Sequence, residues 1–172
     1  ATAPAGLRGL FEMRPNYFPQ IINPISGSSA AFSPGLAQAA VAGTPSGDGY
    51  IIGGYNQFGF SHRIVRLSDG AFLANLPIAV AGSAAVYYPP NGRIYIFGGF
   101  DDAAAYNAIW EFNPVNNTVR TMSARLPSPA TGISAAYFPP TGRIYLFGGN
   151  NNGTVSNQIL EYNQATDSLV KK

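Results

Sequence analysis

The chain has no cysteine. That excludes structural disulfides, thiolate metal sites and a cysteine nucleophile. Charge is also scarce: only 10% of the 172 residues are Asp, Glu, Lys or Arg, against roughly 25% in an average soluble domain. Asn, Ser, Thr, Gln, Gly and bare backbone must make most of the surface. A secreted protein carrying sugar fits that surface, and so does a subunit largely covered by neighbours. The net charge of +2 argues for neither nucleic acid nor a membrane surface as partner, and the one basic block is Lys171-Lys172. Histidine occurs once, at His62. Without Cys or a second His it makes no typical transition-metal site, so a surface loop histidine is expected. No Ser–His–Asp set is evident, and no glycine-rich loop leads into a phosphate-binding helix. No catalytic residue, metal or cofactor is therefore assigned. No apolar run approaches 18 residues, so no bilayer span is expected. The chain opens on Ala1 rather than methionine, as a processed or excised polypeptide would.

What is abundant is glycine and proline, 20 and 14 residues, within a chain that is 46% hydrophobic and 13% aromatic. Gly supplies positive φ and Pro pre-sets a turn, so the mixture suits many short strands joined by tight turns. An internal repeat organises them. Residues 39–54 (AAVAGTPSGDGYIIGG), 84–99 (AAVYYPPNGRIYIFGG) and 134–149 (SAAYFPPTGRIYLFGG) align without gaps. Downstream, Ile64-Val65-Arg66-Leu67, Ile109-Trp110-Glu111-Phe112 and Ile159-Leu160-Glu161-Tyr162 continue the match. The length difference between the first two units falls in a turn, where Ser68-Asp69-Gly70 stands against Asn113 to Thr118.

Each unit reads as four strands, A to D, in an antiparallel meander. In the second unit they are 84–88, 93–97, 108–112 and 119–122; in the third, 134–138, 143–147, 158–162 and 168–171. Strand A is small-residue-rich and strand B is a buried apolar run. Strand B ends each time on a glycine pair: Gly53-Gly54, Gly98-Gly99 and Gly148-Gly149. Two glycines in a row cost chain entropy. A fold retains them where the backbone bends sharply or a neighbour packs directly onto it.

An apolar strand ending in Gly-Gly, a variable loop, a strand ending in an aromatic and a fixed spacing to an apolar residue together resemble the kelch repeat. IYIFGG followed by IWEFNPVNNTV carries the resemblance in the second unit, and IYLFGG followed by ILEYNQATDSL in the third. Where the kelch pattern has Tyr and then Trp seven residues on, this chain has Phe112 with Val119 and Tyr162 with Leu169. The resemblance implies an all-β fold of three kelch-type β-propeller blades over 36–80, 81–129 and 130–172. Closed propellers hold about four to eight blades, so three form a partial propeller. The chain is then a piece of a longer protein, or it assembles with copies or partners that complete the ring. Kelch propellers also include copper oxidases resembling galactose oxidase. Those need two His, two Tyr and a crosslinked Cys, which this sequence cannot supply. Residues 1–35 lie outside the repeat and carry five prolines. They read as an extended arm with a strand near Leu10 to Arg14 or Gln20 to Ile22, able to add to a blade or to a neighbouring subunit.

In a meander the B–C and D–A loops share one rim, and the A–B and C–D loops share the other. Loops on a rigid scaffold are where binding concentrates. The divergent B–C loops therefore supply the candidate binding residues: His62, Arg63, Asp101, Asp102, Tyr106, Asn150 and Asn151. Asp101-Asp102 alone falls short of the six to eight oxygens calcium takes. Arg93 and Arg143 open strand B at matching positions and are expected to cover the turn. Asn116-Asn117-Thr118 and Asn152-Gly153-Thr154 are N-glycosylation acceptor patterns, on opposite rims. The expected function is a non-catalytic scaffold for protein–protein association, in an extracellular structural or fibril-type component with attached glycans. Two alternatives stay open: part of a larger secreted enzyme or carbohydrate-binding protein with its active site elsewhere, and an intracellular substrate adaptor.

Overall fold

The protein is described by a computed structural model covering residues 20–22, 29–31, 35–151 and 153–172. Every regular element among the described residues is a strand. In the N-terminal arm, β1 (Gln20–Ile22) pairs antiparallel with β2 (Ser29–Ala31). They form their own two-stranded sheet and do not add to a blade. The strand expected at 20–22 is thus present, while Leu10 to Arg14 lies outside the described residues.

Three four-stranded antiparallel meanders follow. The first comprises β3 (Ala40–Gly43), β4 (Gly49–Ile52), a hairpin of β5 (Tyr55–Asn56) and β6 (Gly59–Phe60), then β7 (Arg63–Arg66) and β8 (Phe72–Asn75). The second comprises β9 (Ala84–Tyr88), β10 (Arg93–Phe97), β11 (Ile109–Asn113) and β12 (Thr118–Thr121). The third comprises β13 (Ser134–Phe138), β14 (Arg143–Phe147), a hairpin of β15 (Asn150–Asn151) and β16 (Thr154–Val155), then β17 (Ile159–Asn163) and β18 (Ser168–Lys171). Two of the three B–C loops are therefore small hairpins rather than plain loops. The innermost strands stand side by side, β3 by β9 and β9 by β13. This is the stacking of propeller blades, and among the described residues the ring does not close.

Alternation along β10 explains why the sequence there reads as a continuous apolar run. Ile94 and Ile96 turn to the first blade and pack with Tyr50, Ile52, Ile64, Trp110 and Phe112. Tyr95 and Phe97 turn to the third and pack with Ile109, Ile144, Leu146 and Tyr162. A strand covered on both faces has no polar side to show. Burying each such side chain contributes about 1.5–3 kcal/mol. The blades are thus held together by two apolar layers, one on each side of the middle sheet.

The register corrects the ungapped alignment of the first unit. Ala40 pairs with Ile52, and Ala84 pairs with Phe97. Strand A of the first blade therefore lies 44 residues before its counterpart, while strand B lies 45 before. The first A–B turn is one residue shorter. Sheet pairing on either side of a turn is fixed by which face is buried, so the turn absorbs the difference.

Candidate binding rim

The backbone of the B–C and D–A rim is bound together by a pattern that recurs in each blade. Ala37 and Tyr55 exchange N–H···O bonds of 2.8 and 2.9 Å, Ala81 and Phe100 two of 2.9 Å, and Thr131 and Asn150 two of 3.0 and 2.8 Å. A second set runs from blade to blade. Gly82 N–H donates to Gln38 O and Gly132 N–H to Gly82 O, each at 2.8 Å. All three residues of that relay have positive φ.

The glycine pairs sit beside this relay, with every member at positive φ. Gly54 N–H donates to Val80 O at 2.8 Å, and Gly99 N–H donates to Ala130 O at 2.9 Å. A Cβ on Gly53 would collide with the Val80 carbonyl oxygen, and one on Gly98 with that of Ala130. The doubled glycine is thus a slot for a carbonyl from the segment leading to the next blade. At Gly148 the nearest atom to such a Cβ is Ser156 O, 3.6 Å away, which is ordinary contact. Buried Leu76 and Leu126 anchor those connecting segments, donating N–H bonds to His62 O and Asn107 O. Reading the sequence missed both leucines, although Leu76-Pro77 and Leu126-Pro127 repeat the same dipeptide.

The candidate rim residues divide into those engaged internally and those facing outward. Asp101 folds its own loop: one carboxylate oxygen accepts Ala103 and Ala104 N–H, and the other accepts the Tyr106 hydroxyl at 2.7 Å. That hydroxyl bond holds the Asp101 carboxyl below its ordinary range and raises Tyr106. Asn150 accepts Gly153 N–H at 2.7 Å through its side chain. Arg63 lays its guanidinium 4.9 Å over the Phe72 ring. His62 and Asp102 are exposed. Asp101, Asp102 and Asn150 meet, with Phe100 and Thr131, around an open cleft of about 330 Å³ between the second and third blades. His62 and Arg63 lie outside it, and Asn151 lines a separate, much smaller crevice beside Gly148 and Gly149. Among the described residues no group of three His, Cys, Asp or Glu is placed to hold a metal.

The opposite rim carries a charged cluster that reading the sequence also missed. Glu111 is buried, and Arg120 forks onto it at 2.8 and 3.0 Å. The Tyr95 hydroxyl donates to it at 2.7 Å, and Asn91 Nδ2 donates to that hydroxyl. Burial, then the bond to Glu111, pushes the Tyr95 hydroxyl well above its ordinary pKa. Arg93 stands 3.9 Å from Glu111, so the arginine expected to cover the turn faces a carboxylate. In the third blade Glu161 takes the Tyr145 hydroxyl at 2.9 Å and Lys172 at 2.8 Å, with Arg143 at 4.0 Å. The signal was there, since an Arg opening strand B recurs with a Glu in strand C. Asn116 is exposed on this rim, its side-chain oxygen accepting the Thr118 hydroxyl at 2.7 Å. Asn152 lies outside the described residues.

Residues 90–124 match the kelch motif. No curated protein matches the sequence. The solved structure titled "Structure of YjhT" is similar to this chain with a TM-score of 0.66 at 15% identity, covering 80% of this chain. The chain spans half the length of that one. No helix among the described residues is long and apolar enough to cross a membrane. The carbonyl slots at the first two glycine pairs, the stacked meanders and the matched motif lead to one conclusion: the chain carries a kelch motif in its second blade and has the fold of stacked kelch-type propeller blades.

Proposed function

We propose that this chain is a non-catalytic scaffold that associates with other proteins, within an extracellular structural component glycosylated at Asn116 and Asn152. One observation carries the reading: the third blade leaves Phe138, Phe147, Ile159 and Val170 exposed on one side of its sheet. Grouped apolar side chains of that size mark an interaction surface rather than a solvated one. The rim supports it from the other direction, because Asp101 and Asn150 are taken up in holding their own loops. Low charge and the exposed acceptor at Asn116 support the extracellular setting.

Mass spectrometry of the native material tests this reading. Glycan mass on Asn116 and Asn152, with a protein partner crosslinked to the third blade, is the expected result. Unmodified asparagines and a chain without partners would overturn it. A second reading, a part of a larger secreted enzyme or carbohydrate-binding protein, is favoured by the chain spanning half the length of its structural neighbour. The intact mass of the natural polypeptide separates the two: 18.1 kDa of protein rejects the larger enzyme.

A further inference from the structure

We propose that the second blade carries a carboxylate-binding site on the A–B and C–D rim, where Arg93 and Arg120 flank the buried Glu111. An open cleft of about 470 Å³ lies there, lined by both arginines, Glu111, Asn113 and Asn116 among others. It stands opposite the B–C loops and apart from the apolar face of the third blade, so it goes beyond the scaffold reading and does not depend on it. The sheet assembles it. Glu111 pairs across with Tyr95 on β10 and with Arg120 on β12, and Arg93 lies two residues before Tyr95 on the same face. Among the described residues this blade alone sets two guanidiniums on one glutamate. In the third blade the residue across from Glu161 is Val170. In the first the charges at the matching positions are exchanged, Asp48 for Arg93 and Arg66 for Glu111, and Arg66 forks onto Asp69 at 3.0 and 2.6 Å.

The balance of donors and acceptors marks the cleft as a ligand site. Its acceptors are in use. Glu111 takes Arg120 twice and the Tyr95 hydroxyl once. The side-chain oxygens of Asn91, Asn113 and Asn116 accept Arg93 N–H, Val115 N–H and the Thr118 hydroxyl, at 3.0, 3.0 and 2.7 Å. Its donors are spare. Among the described residues the Arg93 guanidinium donates no hydrogen bond, its Nε standing 3.9 Å from Glu111. Arg120 spends only Nε and Nη2 on Glu111. The amide nitrogens of Asn113 and Asn116 are unused in the same way. Spare donors with occupied acceptors fit an acceptor-only ligand. Two guanidiniums against one carboxylate leave one positive charge, which a single carboxylate neutralises and a phosphate dianion overfills. The guanidinium fork matches the carboxylate in shape as well. The two side chains are 31% and 65% exposed, so a ligand reaches them without rearrangement. Asp167 of the third blade also feels Arg120, but its oxygens are committed to the Tyr162 hydroxyl and to Ser123 and Ala124 N–H. An Asp or Glu of a protein partner and a small free acid present the same group.

Titration of the full chain, followed by NMR at the arginine Nε–H groups, tests the site. The protein is made in bacteria so that Asn116 is bare. The probes are sodium acetate and a peptide with one glutamate and blocked termini, each at constant ionic strength. Both should move the Arg93 and Arg120 resonances saturably. Arg93→Gln should weaken binding at least ~10-fold, the scale of one charge-assisted hydrogen bond. Arg93→Lys should recover only part of that loss, since an ammonium lacks the fork. Arg143→Gln, on the third blade, should change nothing. Tighter binding of the peptide than of acetate assigns the site to a protein partner, and equal binding assigns it to a free acid. Resonances that stay still, shifts that persist in Arg93→Gln, or inorganic phosphate binding more tightly than acetate would each overturn the proposal. If Arg93→Gln fails to fold, the wild-type response to acetate against phosphate and against neutral acetamide still decides.

Discussion

The second and third blades carry nearly the same strand, Arg93-Ile-Tyr-Ile-Phe97 and Arg143-Ile-Tyr-Leu-Phe147, yet they bury it differently. In β10 every residue after Arg93 is buried; in β14 only Ile144 and Leu146 are. Phe97 is fully hidden, whereas its counterpart Phe147 is 40% exposed. The chemistry of the strand is constant and its neighbours are not. Burial here is a property of stacking, as expected of repeats that gain stability from the units beside them.

The largest effects should fall on positions where the two blades differ most. Phe97→Ala should cost ~3–5 kcal/mol, the range for truncating a fully buried aromatic, measured by denaturant titration. Phe147→Ala should leave the folded monomer within roughly 0.5 kcal/mol of wild type. Equal losses would break the comparison. Next come the glycines. Gly98→Ala adds both a left-handed alanine and a collision with Ala130 O, roughly 2–5 kcal/mol together. Gly148→Ala should show only the backbone part, ~1–2 kcal/mol, because its Cβ meets nothing closer than 3.6 Å.

A smaller difference separates the two glutamates. Glu111→Gln should cost ~2–3 kcal/mol, because Arg120 and Tyr95 are built around a buried carboxylate. Glu161→Gln should barely shift the melting temperature, since its cation is the half-exposed Lys172.

The smallest effect concerns Asp167, which ties the third blade to the second by accepting Ser123 and Ala124 N–H at 2.6 and 3.2 Å. Burial works to raise its pKa. The Tyr162 hydroxyl and those two amides outweigh it and leave the carboxyl below its ordinary value. A carboxyl depressed in the folded state stabilises above its unfolded pKa of about 3.9, and that contribution is lost as pH falls through the folded value. Asp167→Asn should therefore cost ~1 kcal/mol near neutrality, with the gap to wild type narrowing below about pH 4. A gap independent of pH would remove the carboxylate from the account.

The repeat, the meanders and the strand positions were legible because turn residues and apolar runs recur at a fixed interval. Strand C of the second blade was placed within one residue, at Ile109–Asn113 rather than 108–112. The one-residue register change in the first blade was hidden, because its small-residue strand A matches equally well in either frame. Glu111 was hidden for another reason: a lone glutamate in a strand says nothing of burial until Tyr95 and Arg120 are brought to it across two sheet pairings. The rim residues were chosen as divergent loop positions. What Asp101 and Asn150 do for their own loops depends on local turns that composition does not reveal.

The carbonyls of Val80 and Ala130 have a practical consequence for anyone dissecting the chain. Each blade is latched by residues beyond its own sheet, so the piece that folds is offset from the piece that repeats. A truncation made just after Asn75 or Thr121 would preserve all four strands of a blade and remove its latch. Cuts placed past Val80 or Ala130 would keep the latch with the sheet it secures.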